Sequence, residues 1–158
     1  MTYLFWQKPT FSSSTKLFQN SEQVGVFNFG SFSTNSSVLI KGQTYSIEPQ
    51  GFGQKVLWID TKDFSVIAEI YFEQFSSVAR IVYNNEIYVY KDKILMKDGQ
   101  LIAKCNTKTF SEDGNIESPE DNLILMLSTY YIHQYKSSLI SFFVTIISTF
   151  IIVYFLFF

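Results

Sequence analysis

The residue types that most often carry out catalysis are sparse in this chain. His133 is the single histidine and Cys105 the single cysteine. One histidine and one cysteine cannot form a cluster of soft zinc ligands. No motif in the sequence identifies an acid–base partner for His133. Gly51-Phe52-Gly53 lacks the third glycine of a dinucleotide-binding loop. We therefore predict no catalytic residue, no cofactor and no metal site, and we interpret His133 and Cys105 as structural.

A mild concentration of positive charge is the next candidate for chemistry. Lys91, Lys93 and Lys97 lie close together in the sequence and are candidate contacts for lipid headgroups. Asp92 and Asp98 interrupt them, so the pattern favours the alternative of a solvated strand face. The net charge of −2 argues against a nucleic-acid partner, which needs a basic surface.

The end of the sequence has the composition of a membrane span. After Lys136 the chain carries no charged residue, and the twenty residues from Leu139 to Phe158 contain neither Pro nor Gly. As a helix they would extend about 30 Å, the thickness of a bilayer's hydrocarbon core. The sequence thus predicts a C-terminal transmembrane anchor over residues 137–158 and membrane lipid as a partner. The lipid-facing positions that we expect are Leu139, Phe142, Ile146, Phe150, Val153 and Phe157.

Hydroxyl side chains recur at helical spacing within this segment. They are Ser137, Ser141, Thr145 and Ser148. Small polar residues let two helices approach in lipid, so this face is a candidate helix–helix interface for a homo-oligomer. In the alternative interpretation, each hydroxyl bonds back to the carbonyl one turn earlier and contacts no partner.

The flanking charge predicts the orientation of the anchor. Lys136 lies on its N-terminal side, which places the N-terminal domain in the cytoplasm by the positive-inside rule. The apolar run Tyr3–Trp6 is too short for a secretory signal. We therefore expect a single-pass, tail-anchored membrane protein.

Before the anchor, alternating residues predict a mainly β chain. Residues 1–37 should supply N-terminal strands and loops, and residues 38–117 an antiparallel β-domain. The spacing of its strands is typical of an antiparallel meander, a barrel or a sandwich. One strand is predicted to stop at Pro49, and Asn84-Asn85 and Asp98-Gly99 are predicted as two-residue hairpin turns.

A second apolar segment follows over residues 118–136. Ser118-Pro119 is typical of a helix start, and the helix that follows is apolar around its whole circumference. Such a helix must be enclosed. The alternatives are an open sheet covered by this helix, or one continuous helix from Pro119 to Phe158 that carries the β-domain as a stalk.

One strand–turn–strand unit carries a family resemblance. Lys55–Asp60 with Phe64–Glu69 is such a unit, and Ile94–Ala103 is similar to a second copy. Together with the apolar helix they resemble the tubby-like superfamily, which includes the LURP-one-related proteins and phospholipid scramblases. The resemblance implies an antiparallel barrel around a central helix at 123–135. The transmembrane helix predicted from the composition would then follow this barrel.

These observations predict a non-enzymatic membrane protein that presents a small cytoplasmic β-domain for lipid or protein interaction. Two alternatives stay open from the sequence. One is a scramblase-like or transport-associated membrane protein, and the other is an enzyme without a recognisable motif.

Overall fold

In a computed structural model, the chain forms a closed antiparallel β-barrel with one long helix. The structure describes residues 1–9, 12–30, 34–51, 53–74, 76–107 and 113–157. Of Phe157 it describes the backbone only. The elements are β1 (Thr2–Gln7), β2 (Ser14–Gln19), β3 (Glu22–Asn28), β4 (Ser36–Ile40), β5 (Gln43–Gln50), β6 (Lys55–Asp60), β7 (Val66–Phe72), β8 (Ala79–Tyr83), β9 (Glu86–Lys91), β10 (Ile94–Lys97), β11 (Gln100–Thr107), β12 (Gly114–Ser118) and α1 (Leu123–Phe157). The predicted β-barrel with a C-terminal apolar helix is confirmed, and the open sheet is excluded.

The barrel is a simple meander that closes on itself. Each strand pairs antiparallel with the next, and β1 pairs with both β2 and β12 to complete the circle. In the closing pair, Thr2 lies opposite Ser118 and Trp6 opposite Gly114. Closure leaves no strand edge open for aggregation.

Tight turns join many of these strands. Asn84-Asn85 and Asp98-Gly99 have positive φ at both residues, which matches the right-handed twist of a hairpin and confirms both predicted turns. Asn20-Ser21 and Asp92-Lys93 adopt the same conformation without glycine. The sequence did not predict those two turns.

Alternate residues of the strands point inward and pack around the first half of α1. Twelve strands enclose an interior wide enough for a helix, whereas eight would be filled by their own side chains. The helix backbone lies closest to β11 and β12. Ala103 and Cys105 are small residues on β11, so the helix can approach there. The helix residues that are fully enclosed are Leu125, Met126, Leu127, Ser128, Thr129, Tyr130, Tyr131 and Ile132.

The helix starts later than the sequence predicted, and it is not divided. Ser118 ends β12, where its Oγ donates to the Ile102 carbonyl (2.7 Å) and accepts from the Glu120 amide (3.2 Å). Asn122 caps the helix instead, because its Oδ1 accepts from the Leu125 amide at 3.2 Å. The residues from Leu123 to Phe157, which the sequence divided after Lys136, therefore form one 35-residue helix. The predicted enclosed helix is confirmed, and it continues into the exposed segment without a break. The alternative of a helix that begins at Pro119 and carries the β-domain as a stalk is wrong, because the first half of α1 lies inside the barrel.

The prediction that a strand ends at Pro49 is wrong. β5 continues to Gln50, and Pro49 pairs with Val56 of β6. On its other side, β5 pairs with β4 only as far as Ile47, opposite Ser36. Pro49 thus lies where β5 has one neighbouring strand, a place where a missing backbone N–H is tolerated.

Candidate functional site

The exposed half of α1 is the first part of the candidate site. Every side chain from Ile140 to Leu156 is exposed, and the helix over Leu123–Leu156 is long and apolar enough to cross a membrane. Among the predicted lipid-facing residues, Phe142, Ile146, Phe150 and Val153 are between 36% and 71% exposed. The side chain of Phe157 lies outside the described part of the chain.

Leu139 marks the transition between the two environments of the helix. It is half-buried and packs against the barrel core, although the sequence placed it in the anchor. Ile140, the next residue, is 65% exposed. The apolar surface that is free to contact lipid therefore begins at Ile140, immediately where the barrel ends.

The predicted hydroxyl face lies on the exposed part of the helix. The Thr145 Oγ1 donates to the Ser141 carbonyl at 2.9 Å, and the Thr149 Oγ1 donates to the Thr145 carbonyl at 2.8 Å. In both threonines the hydroxyl therefore bonds back to the carbonyl one turn earlier, as in the alternative interpretation of this face. Self-association through Ser137, Ser141, Thr145 and Ser148 stays a prediction.

The second part of the site is the barrel end from which the helix leaves, which we call the exit rim. It comprises the described residues of the connections after β1, β3, β5, β7, β9 and β11, which include Lys8, Gly30, Gly53, Gln74, Lys93 and Asp113. The opposite end, which we call the far end, comprises the connections after β2, β4, β6, β8 and β10 and the start of the helix. Because α1 begins at the far end, it runs through the barrel toward the exit rim.

Two side chains fasten the helix to the exit rim. The Tyr135 hydroxyl donates to the Gly53 carbonyl at 3.2 Å, and its ring stacks on Phe72 with centroids 4.3 Å apart. The Lys136 ammonium donates to the Ser77 carbonyl and lies 5.2 Å from the centre of the Tyr90 ring. Burial lowers the pKa of Lys136, against smaller opposing effects of Asp92 and Glu73.

The structure separates the three predicted headgroup lysines. Lys91 and Lys93 flank the β9–β10 turn at the exit rim, where the Lys93 Nζ donates to Thr107 Oγ1 at 2.8 Å. Lys97 lies at the other end of β10, about 10 Å along the strand, where it forms an ion pair with Glu86. The three lysines therefore do not form one site, because the two ends of β10 lie at opposite ends of the barrel.

Cys105 and His133 lie inside the barrel. Cys105 is 2% exposed, and burial raises the pKa of its thiol to about 12, which confirms its interpretation as a small buried residue. His133 is half-buried, and its ring centroid lies 6.3 Å from that of Trp6. Among the described residues, no group of three or more His, Cys, Asp or Glu side chains is placed to hold a metal ion.

The burial of His133 gives a testable pH dependence. Desolvation, and to a lesser degree Lys93, lowers its pKa from the usual 6.5. Below this usual pKa, His133 takes up a proton more readily in the unfolded chain than in the folded chain. The free energy of unfolding therefore decreases as the pH falls through this range. We expect His133→Gln to reduce the loss of thermal stability between about pH 7.5 and 5.5. Identical pH dependence of Tm in both proteins would contradict this role.

The far end holds a cleft that sequence reasoning missed. It has a volume of about 620 Å³ and is lined by residues that include Tyr45, Asp60, Glu69 and Tyr83. Its carboxylates are already engaged, since Glu69 pairs with Lys55 at 3.1 Å and Asp60 accepts from the Lys62 amide at 2.9 Å. Burial, followed by Asp60, raises the pKa of Tyr45. No sequence motif marked this cleft, because its residues come from separate strands.

Comparison of the chain with protein-family models, curated proteins and solved structures found no match. The functional argument therefore depends on the geometry of the barrel, the helix and the exit rim.

Proposed function

We propose that this chain is a membrane-anchored protein whose helix fixes a small β-barrel to a bilayer for lipid or protein interaction. One observation carries the proposal. A single uninterrupted helix is enclosed by the barrel in its first half and is apolar and exposed in its second half. The proposal includes a relationship to the tubby-like superfamily, which we infer from the sequence resemblance. It also includes a non-enzymatic role, which we infer from the sequence.

The energetics of the exposed segment favour a bilayer over water. The residues from Ile140 onward are mostly Ile, Val, Leu and Phe. Each contributes roughly −0.3 to −0.6 kcal/mol to insertion near the centre of a helix, so together they favour insertion by about 5 kcal/mol. The backbone satisfies its own hydrogen bonds as a helix, which lipid requires.

The proposed orientation places the barrel in the cytoplasm. Lys136 is the charged residue next to the exposed segment, on the barrel side. The positive-inside rule then supports a cytoplasmic barrel. The scramblase-like or transport-associated protein and the enzyme without a motif stay predictions, because the described residues offer no observation that favours either.

Charged residues in the centre of the exposed segment test the anchor. We expect Ile147→Lys with Ile151→Lys to abolish membrane insertion, because each lysine costs roughly 2.5–3.5 kcal/mol at the helix centre. The chain would be synthesised in a cell-free system with phosphatidylcholine vesicles. The measurement is the fraction that floats with the vesicles after alkaline extraction.

The matched control adds the same charge to the outside of the barrel. Leu39→Lys with Ile87→Lys replaces residues that are 45% and 59% exposed, and this variant should float as the unaltered chain does. Circular dichroism should show the barrel in both variants. Failure of the unaltered chain to float, or flotation of the Ile147 and Ile151 variant, would overturn the proposed function.

A further inference from the structure

We propose that the exit rim is itself a lipid-binding surface that rests in the headgroup layer of an anionic leaflet, with the barrel axis held at a fixed angle to the bilayer. This inference rests on the proposed function and extends it, because an anchored domain could equally be separated from the membrane by a linker.

The first argument is that the structure leaves no room for a linker. Leu139 packs against the barrel core, and the exposed apolar segment starts at Ile140. The headgroup region on each side of a bilayer is about 5–7 Å thick, the difference between its total thickness and its hydrocarbon core. If the hydrocarbon begins near Ile140, the exit rim lies within that headgroup layer.

The second argument is that the connection is stiff. The helix passes from the barrel to the exposed segment without Pro or Gly, the residues at which helices usually kink. Tyr135 and Lys136 also bind the carbonyls of Gly53 and Ser77 at the exit rim. The barrel therefore cannot swing away from the leaflet without breaking these contacts or bending the helix.

The third argument is the difference in charge between the two ends. Among the described residues, the cations at the exit rim include Lys8, Lys91, Lys93 and Lys136, beside the carboxylates Glu73, Asp92 and Asp113. Glu73 is paired with Arg80 at 2.7 Å. The far end is acidic, with the lysines Lys41, Lys62 and Lys97 beside the carboxylates Glu22, Asp60, Asp63, Glu86, Asp98, Glu120 and Asp121. A cytoplasmic leaflet is negative and attracts nearby lysines, so this polarity favours the exit rim as the membrane side.

The test compares two labels at the two ends of one strand. Gln74 follows β7 at the exit rim and Lys62 precedes β7 at the far end, and both are exposed. In a Cys105→Ala background, Gln74→Cys and Lys62→Cys would each carry a fluorophore. The full chain would be placed in nanodiscs of phosphatidylcholine and phosphatidylserine, with a quencher attached to lipid headgroups. We expect severalfold stronger quenching at position 74, because β7 extends over about 20 Å.

The outcomes separate this inference from the proposed function. A chain that does not enter nanodiscs refutes the proposed function. A chain that enters them but shows equally weak quenching at positions 74 and 62 refutes only the docked rim. Equal strong quenching at both positions also overturns it, because the barrel would then lie on its side.

A second measurement tests the charge argument. Energy transfer from the Gln74 label to labelled phosphatidylserine should exceed transfer to labelled phosphatidylcholine by about twofold or more, since lysines near an anionic surface attract anionic lipid. Lys91→Glu with Lys93→Glu should abolish this preference. Lys41→Glu with Lys97→Glu, the same charge change at the far end, should leave it intact. No preference in the unaltered chain would overturn the choice of an anionic leaflet.

Discussion

A chain that ends at Asn122 is expected to remain unfolded, whereas a chain that ends at Leu139 should form the complete barrel. The residues between these two points supply the centre of the core. Seven large helix side chains are at most 4% exposed: Leu125, Met126, Leu127, Tyr130, Tyr131, Ile132 and Tyr135. Burial of one large apolar side chain contributes roughly 1.5–3 kcal/mol. Their sum exceeds about 10 kcal/mol, comparable with the entire stability of a typical domain, roughly 5–15 kcal/mol.

Circular dichroism and hydrogen exchange of the two truncated chains would measure this difference. The chain ending at Leu139 keeps the Tyr135 and Lys136 contacts with the exit rim and loses the exposed apolar segment, so it should be folded and should not float with vesicles. A folded barrel in the chain ending at Asn122 would show that the strands need no central helix, and it would contradict the enclosed arrangement.

Trp6→Ala is expected to destabilise the barrel by about 3–5 kcal/mol, the usual cost of removing a large buried aromatic side chain. Trp6 is 2% exposed and lies at the seam where β1 meets β12. Its ring centroid is 5.0 Å from that of Tyr130 on the helix. A Cβ added at Gly114 would overlap the Trp6 ring, so the ring occupies the space that the glycine leaves.

Phe5→Ala provides the matched control, because Phe5 is the preceding residue on the same strand and points outward. Its side chain is 43% exposed, so its loss should cost no more than about 1 kcal/mol. Denaturant unfolding of both variants, in the chain that ends at Leu139, gives the comparison. Equal destabilisation by the two substitutions would mean that Trp6 does not specifically stabilise the region where β1 pairs with β12.

The sequence predictions that the structure confirmed depend on residues that are close together in the chain. Alternating residues identified most strands from Val38 onward, and Asn84-Asn85 and Asp98-Gly99 identified two turns, because positive φ favours asparagine and glycine. The apolar circumference of the helix predicted its enclosure. Each of these signals is contained within a few neighbouring residues.

The missed elements depend on pairing between distant parts of the chain. β2 begins within the run Ser12–Thr15, which is typical of a loop, and it is a strand because β1 and β3 pair with it on both sides. β12 contains a single large apolar residue, Ile116, and it is fixed by pairing with β1 and β11. Local propensity is weak in such segments, and tertiary pairing overrides it.

By itself, the sequence determined that this chain has a mainly β-domain and a C-terminal apolar helix of membrane-spanning length, since periodicity and hydrophobicity are properties of neighbouring residues. Only the tertiary structure decided where the helix passes from protein to exposed surface and which residues gather at that point. It also placed Lys91 and Lys93 at the exit rim, as it did Lys136, and placed Lys97 at the far end. The physical reason is closure of the barrel, because the circle of hydrogen-bonded strands assigns every turn to one of two ends.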